Sequence, residues 1–386
     1  MNRKVQLLIS VIRRAFDSKA SSPLDLSELN ENDFAELYYL SRKQDVAPIV
    51  AHVLLNESTP LASKRAAEQF EKQLQLAYFQ YSKTSYERES ATAALEAAGI
   101  PFIHLKGALF AQYYPEGFMR PSCDLDILVR EKHLTSAIAT LKDKLGYRQG
   151  MRGAHDISLY SVGGTHIELH FSLNEMIDNL DRVLEKVWDY AAPIEEGAYE
   201  HRLTNEFLLF YVTAHMAYHF VKGGSKLKNF IDLYLLEKNL HYHSAILENL
   251  LTEASLDTFY RESCGLMSAL FSGNEPSALQ MELLTRVLQL DAEETESASE
   301  PSASLGSRIA YVMRQAFPPA KTMKEIYPVL HKHPILLPFY EVKRLGKLFN
   351  PHIRARSRRR YAQYKATPLQ TREKREALYE ELKLKD

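Results

Sequence analysis

Residues 105–130 read LKGALFAQYYPEGFMRPSCDLDILVR, and the six residues 124–129, DLDILV, decide the fold class. The run Leu125, Ile127, Leu128 and Val129 reads as a buried strand. Side chains alternate faces along a strand, so Asp124 and Asp126 point the same way, about 7 Å apart along the chain. Two carboxylates held together in apolar surroundings repel one another and are costly to bury unless something positive lies between them. The strand therefore calls for a cation.

The neighbouring segments frame that strand as part of a compact mixed unit. Upstream, Gly99-Ile100-Pro101 ends a helical stretch, residues 100–105 (IPFIHL) read as a short buried strand, and Lys106-Gly107 opens a helix expected to end near Pro115. Downstream, a helix starts around Glu131 and closes at Gly146, glycine being the usual residue just past a helix end. DISLYSV and THIELHF then alternate as two strands, and Gly163-Gly164 between them supplies the positive φ of a tight hairpin.

On either side the periodicity is helical. Residues 1–97 place apolar positions three and four apart, and helical spacing resumes at about residue 175 through FLLFYVTAHMAYHF and FIDLYLLEKNL. The fold class expected is α+β: a small mixed β-sheet core with flanking helices, embedded between helical regions. The expected organisation is an N-terminal helical region 1–97, an α/β core 98–175, a C-terminal helical region 176–340 and a basic helical tail 341–386. Residues 291–304 (DAEETESASEPSAS) are acidic and Ser-rich, and are expected to be a mobile surface loop.

Composition narrows the classes of function. The 386 residues, 45% hydrophobic and 25% charged, carry a formal net charge of -1, which argues against a generally polyanion-binding or acidic-tailed protein. The start, MNRKVQLLISVIRRAF, reads as an amphipathic helix and not a leader, because Arg13 and Arg14 interrupt its apolar stretch. Nowhere do about 18 apolar residues run together, so no membrane span is expected. Cys123 and Cys264 form no metal or disulfide pattern, which fits a reducing, cytoplasmic setting. Cys123 is expected to be a small buried hydrophobe.

A third carboxylate, Glu168, stands among apolar neighbours on the second hairpin strand. Three acids drawn from adjacent strands suit Mg²⁺, a hard cation that takes oxygen ligands and keeps several waters. A pair of such ions could grip a triphosphate with one member and lower the pKa of an attacking hydroxyl with the other. Lys106 beside a helix N-terminus, and Arg120 four residues before Asp124, would add phosphate contacts.

The string K-G, twelve residues, R, three residues, D-x-D-I-L-V, followed by the I-E-L-H strand, resembles the polymerase-beta-like nucleotidyltransferase superfamily. It is closer still to the group of large bacterial nucleotidyltransferases that carry Lys-Gly in place of Gly-Ser. The motifs span residues 100–172, and a looser likeness runs on through AHMAYHF, FIDLYLLEK and YPVLHKHPILLPFYEVKRL. The resemblance implies that Asp124, Asp126 and Glu168 are catalytic metal ligands for two Mg²⁺, and that Gly107 lets the backbone approach the phosphates of a bound NTP such as ATP. It implies transfer of a nucleoside monophosphate from the NTP to a hydroxyl or phosphate acceptor, which could be a small molecule, a sugar, RNA or protein.

Other side chains are candidates for substrate contact or support. His170 shares a strand face with Glu168 and could orient it or touch substrate. His215 and His219 lie one helical turn apart and Asp232 is on the next helix. They could bind zinc, but the spacing equally suits hydrogen bonds between helices covering the cleft, where Lys228 could meet an anionic substrate. Residues 343–375 hold twelve Lys or Arg against one Glu, at Glu373, which suggests contact with a polyanion such as RNA. Two rival readings stay open: a protein-adenylylating enzyme of toxin-antitoxin type, and a nucleic-acid-binding or scaffold protein with a vestigial NTP site.

Overall fold

The computed structural model describes residues 3–16, 26–57, 63–175, 177–288, 329–346 and 369–384, with isolated positions elsewhere. The acidic stretch 291–304, and the RARSRRR run apart from Arg354 and Arg358, lie outside the described residues. Up to Leu288, joined by residues 382–384, the chain forms one compact unit.

Four helices lead in: α1 (Arg3–Phe16), α2 (Glu31–Lys43), α3 (Ala47–Asn56) and the long α4 (Lys64–Ala97). Helix α1 is amphipathic as its spacing predicts, burying Val5, Leu8, Ile9, Val11 and Ile12. Asn30 caps α2 by accepting from the Asn32 and Asp33 amides, while Asp33 accepts from the Asn30 amide. Ser63 caps α4 through the Ala66 amide.

Strand β1 (Phe102–His104), the single turn α5 (Ala108–Ala111) and strand β2 (Asp124–Val129) follow. Helix α6 (Leu134–Leu145) comes next and ends on Gly146 in the left-handed conformation. Then come β3 (Arg148–Arg152), β4 (Asp156–Tyr160) and β5 (His166–His170), the last two joined by a turn in which Gly164 has φ +80°. Helix α7 (Asp178–Leu184) precedes a second hairpin, β6 (Ala191–Pro193) and β7 (Glu200–Leu203). Five helices close this unit: α8 (Asn205–Val221), α9 (Leu227–Asn239), α10 (Ser244–Glu253), α11 (Asp257–Ser272) and α12 (Ala278–Leu288). A second unit spans residues 289–381, and its described elements include α13 (Val329–Lys332), α14 (Leu337–Gly346) and α15 (Leu369–Glu381). Among the described residues no helix is long and apolar enough to cross a membrane.

The fold is α+β, built on a mixed seven-stranded sheet ordered β3-β4-β5-β2-β1-β7-β6. β2 runs parallel to β5 and antiparallel to β1, and β1 runs parallel to β7. Three strands depart from the sequence-based expectation. β3 has every residue exposed, so no apolar alternation marks it. β6 and β7 fall in a stretch expected to be helical, but are only three and four residues long; β7 gains its place in the sheet by pairing with β1, and β6 pairs with β7 at the edge.

The sheet's two faces differ in chemistry. Leu125, Ile127 and Val129 of β2, Ile157 and Leu159 of β4 and Ile167 and Leu169 of β5 form one buried cluster with Ala91 and Leu95 of α4 and Leu134, Ala137 and Leu141 of α6. Each Leu, Ile or Val among them contributes roughly 1.5–3 kcal/mol when fully buried. This dry face sets the register, because a one-residue slip would turn every one of them to the other side. The alternate positions, Asp124, Asp126, Glu168 and His170, are left for the opposite face. Cys123, one residue before β2, is exposed and not buried as expected, because the strand and its cover begin only at Asp124.

His104 of β1 is buried and its Nε2 lies 2.8 Å from Thr92 Oγ1. Burial, helped by the charge of Arg88, lowers its pKa to about 3. The unfolded chain, with an ordinary histidine near 6.5, therefore binds a proton that the folded chain refuses between about pH 6.5 and 3. Stability is expected to fall by up to ~1.4 kcal/mol per pH unit in that window on account of this one group. Urea denaturation of His104→Gln should show a correspondingly flatter profile, and a profile matching wild type would refute the assignment.

Candidate functional site

The site is built on the polar face of the sheet. Asp126 of β2 lies in register with Glu168 of β5, and Asp124 with His166. Asp126, Glu168 and His170 bring one ligand atom each within 4.8 Å of one another. Asp124 lies one pleat along on the same face, outside this cluster, half-buried, with its backbone carbonyl accepting from Ser122 Oγ at 3.0 Å. Of the three acids expected together, the structure thus joins two closely and holds the third alongside.

Lys106 reaches the cluster from the turn after β1. Its Nζ is 3.3 Å from Asp126 Oδ1 and donates to His215 Nε2 at 3.1 Å. An ammonium can only donate, so His215 Nε2 accepts, and the ring's Nδ1–H is left to donate to Glu175 Oε1 at 3.0 Å. Both nitrogens of His215 are thereby engaged, one by Lys106 and one by Glu175. His219, one turn on, packs edge-on against His215 with ring centroids 4.3 Å apart.

His170 Nε2 is 3.2 Å from the same Asp126 Oδ1. Its Nδ1 is buried and has no partner among the described residues. Assigned from this network, the proton belongs on Nε2, where Asp126 accepts it. Through that bond His170 orients the Asp126 carboxylate, and its ring remains one of the three groups that could hold an ion.

The charges follow from these contacts. Burial penalises the Asp126 carboxylate, but the Lys106 ammonium and the His170 hydrogen bond outweigh it and hold its pKa below the usual range. Burial likewise opposes the charge on Lys106, yet Asp126, followed by Tyr211, Asp124 and Glu168, keeps it protonated above the ordinary lysine value. Glu168 is pushed up to about 7 by burial and then by the Asp126 charge. His215 is held well below 6.5 by burial and by Lys106, and His219 is lowered to about 4 by burial and His215. Two carboxylates that repel one another, and whose oxygens face a common space, fit a hard divalent cation.

Lys106, Glu168, His170, Glu175, His215 and Tyr211 line part of a cleft of about 240 Å³. Of these, Glu175 and Tyr211 escape sequence reasoning. Glu175 lies in an irregular segment with no periodicity, and Tyr211 reads as one more apolar position of α8. His155, whose ring stacks on His170 with centroids 5.8 Å apart, belongs to the same wall.

Gly107 has φ +69° and ψ −123°, a backbone state that side-chain-bearing residues avoid. A Cβ there would stand 3.1 Å from Ser122 Oγ and 3.5 Å from the Asp124 carbonyl oxygen. The glycine lets this turn close onto the start of β2. Gly107→Ala is expected to cost about 1–3 kcal/mol in urea denaturation, and a loss under half a kilocalorie would show the turn to be unstrained. The helix it opens is a single turn that stops at Ala111, short of Pro115, so the helix-dipole support expected at Lys106 is small.

Arg120 is used differently from the triphosphate contact expected of it. Its Nε and Nη2 fork onto the two carboxylate oxygens of Asp232 at 2.9 and 2.8 Å, and Tyr114 Oη donates to Asp232 Oδ1 at 2.7 Å. Arg120 and Asp232 are buried, and the fork ties the segment leading into β2 to α9. Lys228 donates to the Pro121 carbonyl at 3.4 Å and lies 3.8 Å from Asp45, bracing the same segment.

A family model described as an uncharacterised nucleotidyltransferase matches residues 30–272. That span holds all seven strands and the helices α8 and α9. Comparison with curated proteins and with solved structures gives no match.

Proposed function

Since the chain belongs to this family of uncharacterised nucleotidyltransferases, we propose that it transfers a nucleoside monophosphate from an NTP to a hydroxyl or phosphate acceptor. The observation that carries the reading is the meeting of Asp126 and Glu168 on one face of the sheet, with Lys106 reaching in from a glycine turn. Asp124, Asp126 and Glu168 are the residues that would hold Mg²⁺, as a pair of ions. Bound there, such ions neutralise phosphate charge and lower the pKa of the attacking hydroxyl. Lys106 supplies a positive charge to the phosphates, and Gly107 keeps the backbone beside them bare. The acceptor oxygen bonds to the α-phosphorus as the bridging bond to the β-phosphate breaks and pyrophosphate leaves with the electron pair. The acceptor's proton passes to Glu168, whose side chain is 34% exposed where that of Asp126 is 5%. Two free cysteines suit a bacterial cytoplasmic setting.

The test is incubation of the protein with Mg²⁺, cell lysate and ATP labelled at the α-phosphate. Label in a small molecule or RNA, with pyrophosphate release, supports the reading, and the labelled class names the acceptor. Label in protein would point to adenylylation of a partner. No label from any of the four common NTPs, together with no Mg²⁺-dependent ATP binding by calorimetry, would refute it.

A further inference from the structure

Asp126 Oδ1 is claimed twice: His170 Nε2 lies 3.2 Å from it and Lys106 Nζ 3.3 Å. A divalent ion using that oxygen must displace one of these donors, because a donor hydrogen and a metal compete for the same lone pairs. His170 is held by its place in β5, whereas Lys106 rides on a flexible four-carbon stem. The ammonium is therefore the group that yields. It is also the group held from behind, since His215 Nε2 accepts from Lys106 at 3.1 Å and His215 Nδ1 donates to Glu175 at 3.0 Å.

We propose that Lys106 is a resident cation of the site: latched by the His215–Glu175 pair, its ammonium occupies a cation position at Asp126 and cedes it when a divalent ion binds. This rests on the metal role proposed above for Asp126 and Glu168. His215 and Glu175 are then positioning residues, which act through Lys106 and set how readily the metal enters. The cleft that Lys106 lines gives its freed ammonium somewhere to go, on the side where phosphates would be met.

The latch makes an unusual demand on metal affinity. Removing it should tighten binding of a divalent ion, where damage to the site's structure would weaken it. His215→Phe keeps a ring in place, removes the acceptor and leaves the net charge unchanged, because His215 is neutral. Glu175→Ala releases the latch without touching Lys106 or Asp126. It also deletes a negative charge, which by Coulomb attraction alone would weaken cation binding.

Mn²⁺ titration of the full chain, followed by electron paramagnetic resonance of the free ion without nucleotide, reads this directly. Binding about tenfold tighter is expected in His215→Phe, the worth of one charge-assisted hydrogen bond, with a shift of the same sign in Glu175→Ala and at least as large a shift in Lys106→Met. Circular dichroism identifies variants that fail to fold, and Glu175→Ala serves if His215→Phe does. Folded variants that bind Mn²⁺ as wild type does, or more weakly, would overturn the latch and leave the metal role standing. If wild type and every variant bind none, both fall.

Discussion

Asp126→Asn is expected to reduce nucleotidyl transfer on the order of 10³-fold or more while leaving the fold intact, because positioning and charge neutralisation supply nearly all the catalysis in phosphoryl-type transfers. Asp126 is the acid on which the site converges. It faces Glu168 across the β2–β5 pairing, lies 3.3 Å from Lys106 and accepts from His170. Asparagine keeps the shape and one acceptor oxygen, so the hydrogen bonds to Lys106 and His170 can persist and the secondary structure should be unchanged by circular dichroism. What it lacks is the negative charge, and with it the hold on a divalent ion. The parallel variant Asp124→Asn should also lose turnover, with less effect on Lys106, since Asp124 stands outside the tight cluster. Label transfer from ATP measures both. Turnover within a few-fold of wild type in Asp126→Asn would show that the carboxylate is not part of the chemistry.

Asp232→Ala is expected to destabilise the protein by about 3–5 kcal/mol, the usual consequence of removing one partner from a buried ion pair. Both side chains of the Arg120–Asp232 fork are 5% exposed. Without Asp232 the guanidinium keeps its charge in a buried setting and Tyr114 loses the acceptor of its hydroxyl. The reason is desolvation more than lost attraction, and this gives a second, sharper expectation. Replacing both partners together, as Arg120→Met with Asp232→Leu, should recover most of the loss, because no charge is then left uncompensated. Urea denaturation of the two variants decides the matter. A loss below 1 kcal/mol in Asp232→Ala, or a double variant no better than the single, would mean that the fork is not what holds the β2 entry segment to α9.

The parts of this site that could be read from the chain are those written in local alternation. Asp124 and Asp126 alternate with Leu125 and Ile127, and Glu168 with Ile167 and Leu169, so the parity of each strand assigned its acids to one face before any pairing was known. The dry face, packed against α4 and α6, then brings those two parities into one site. Legibility ended where local pattern ended. The exposed strand β3 and the very short β6 and β7 carry no alternation of their own, and Glu175 sits in a segment without period.

What the amino-acid order determined alone was the α+β class, the polar face of β2 and β5 and the glycine turn that opens toward it. Tertiary structure decided the partners. Lys106 meets His215, 109 residues away, and Arg120 meets Asp232, 112 residues away, so one basic residue went to the site and the other to the scaffold. The physical reason is that alternation depends on the geometry of a single strand. A long side chain, by contrast, is satisfied by whichever acceptor the docking of α8 and α9 brings within about 3 Å of it.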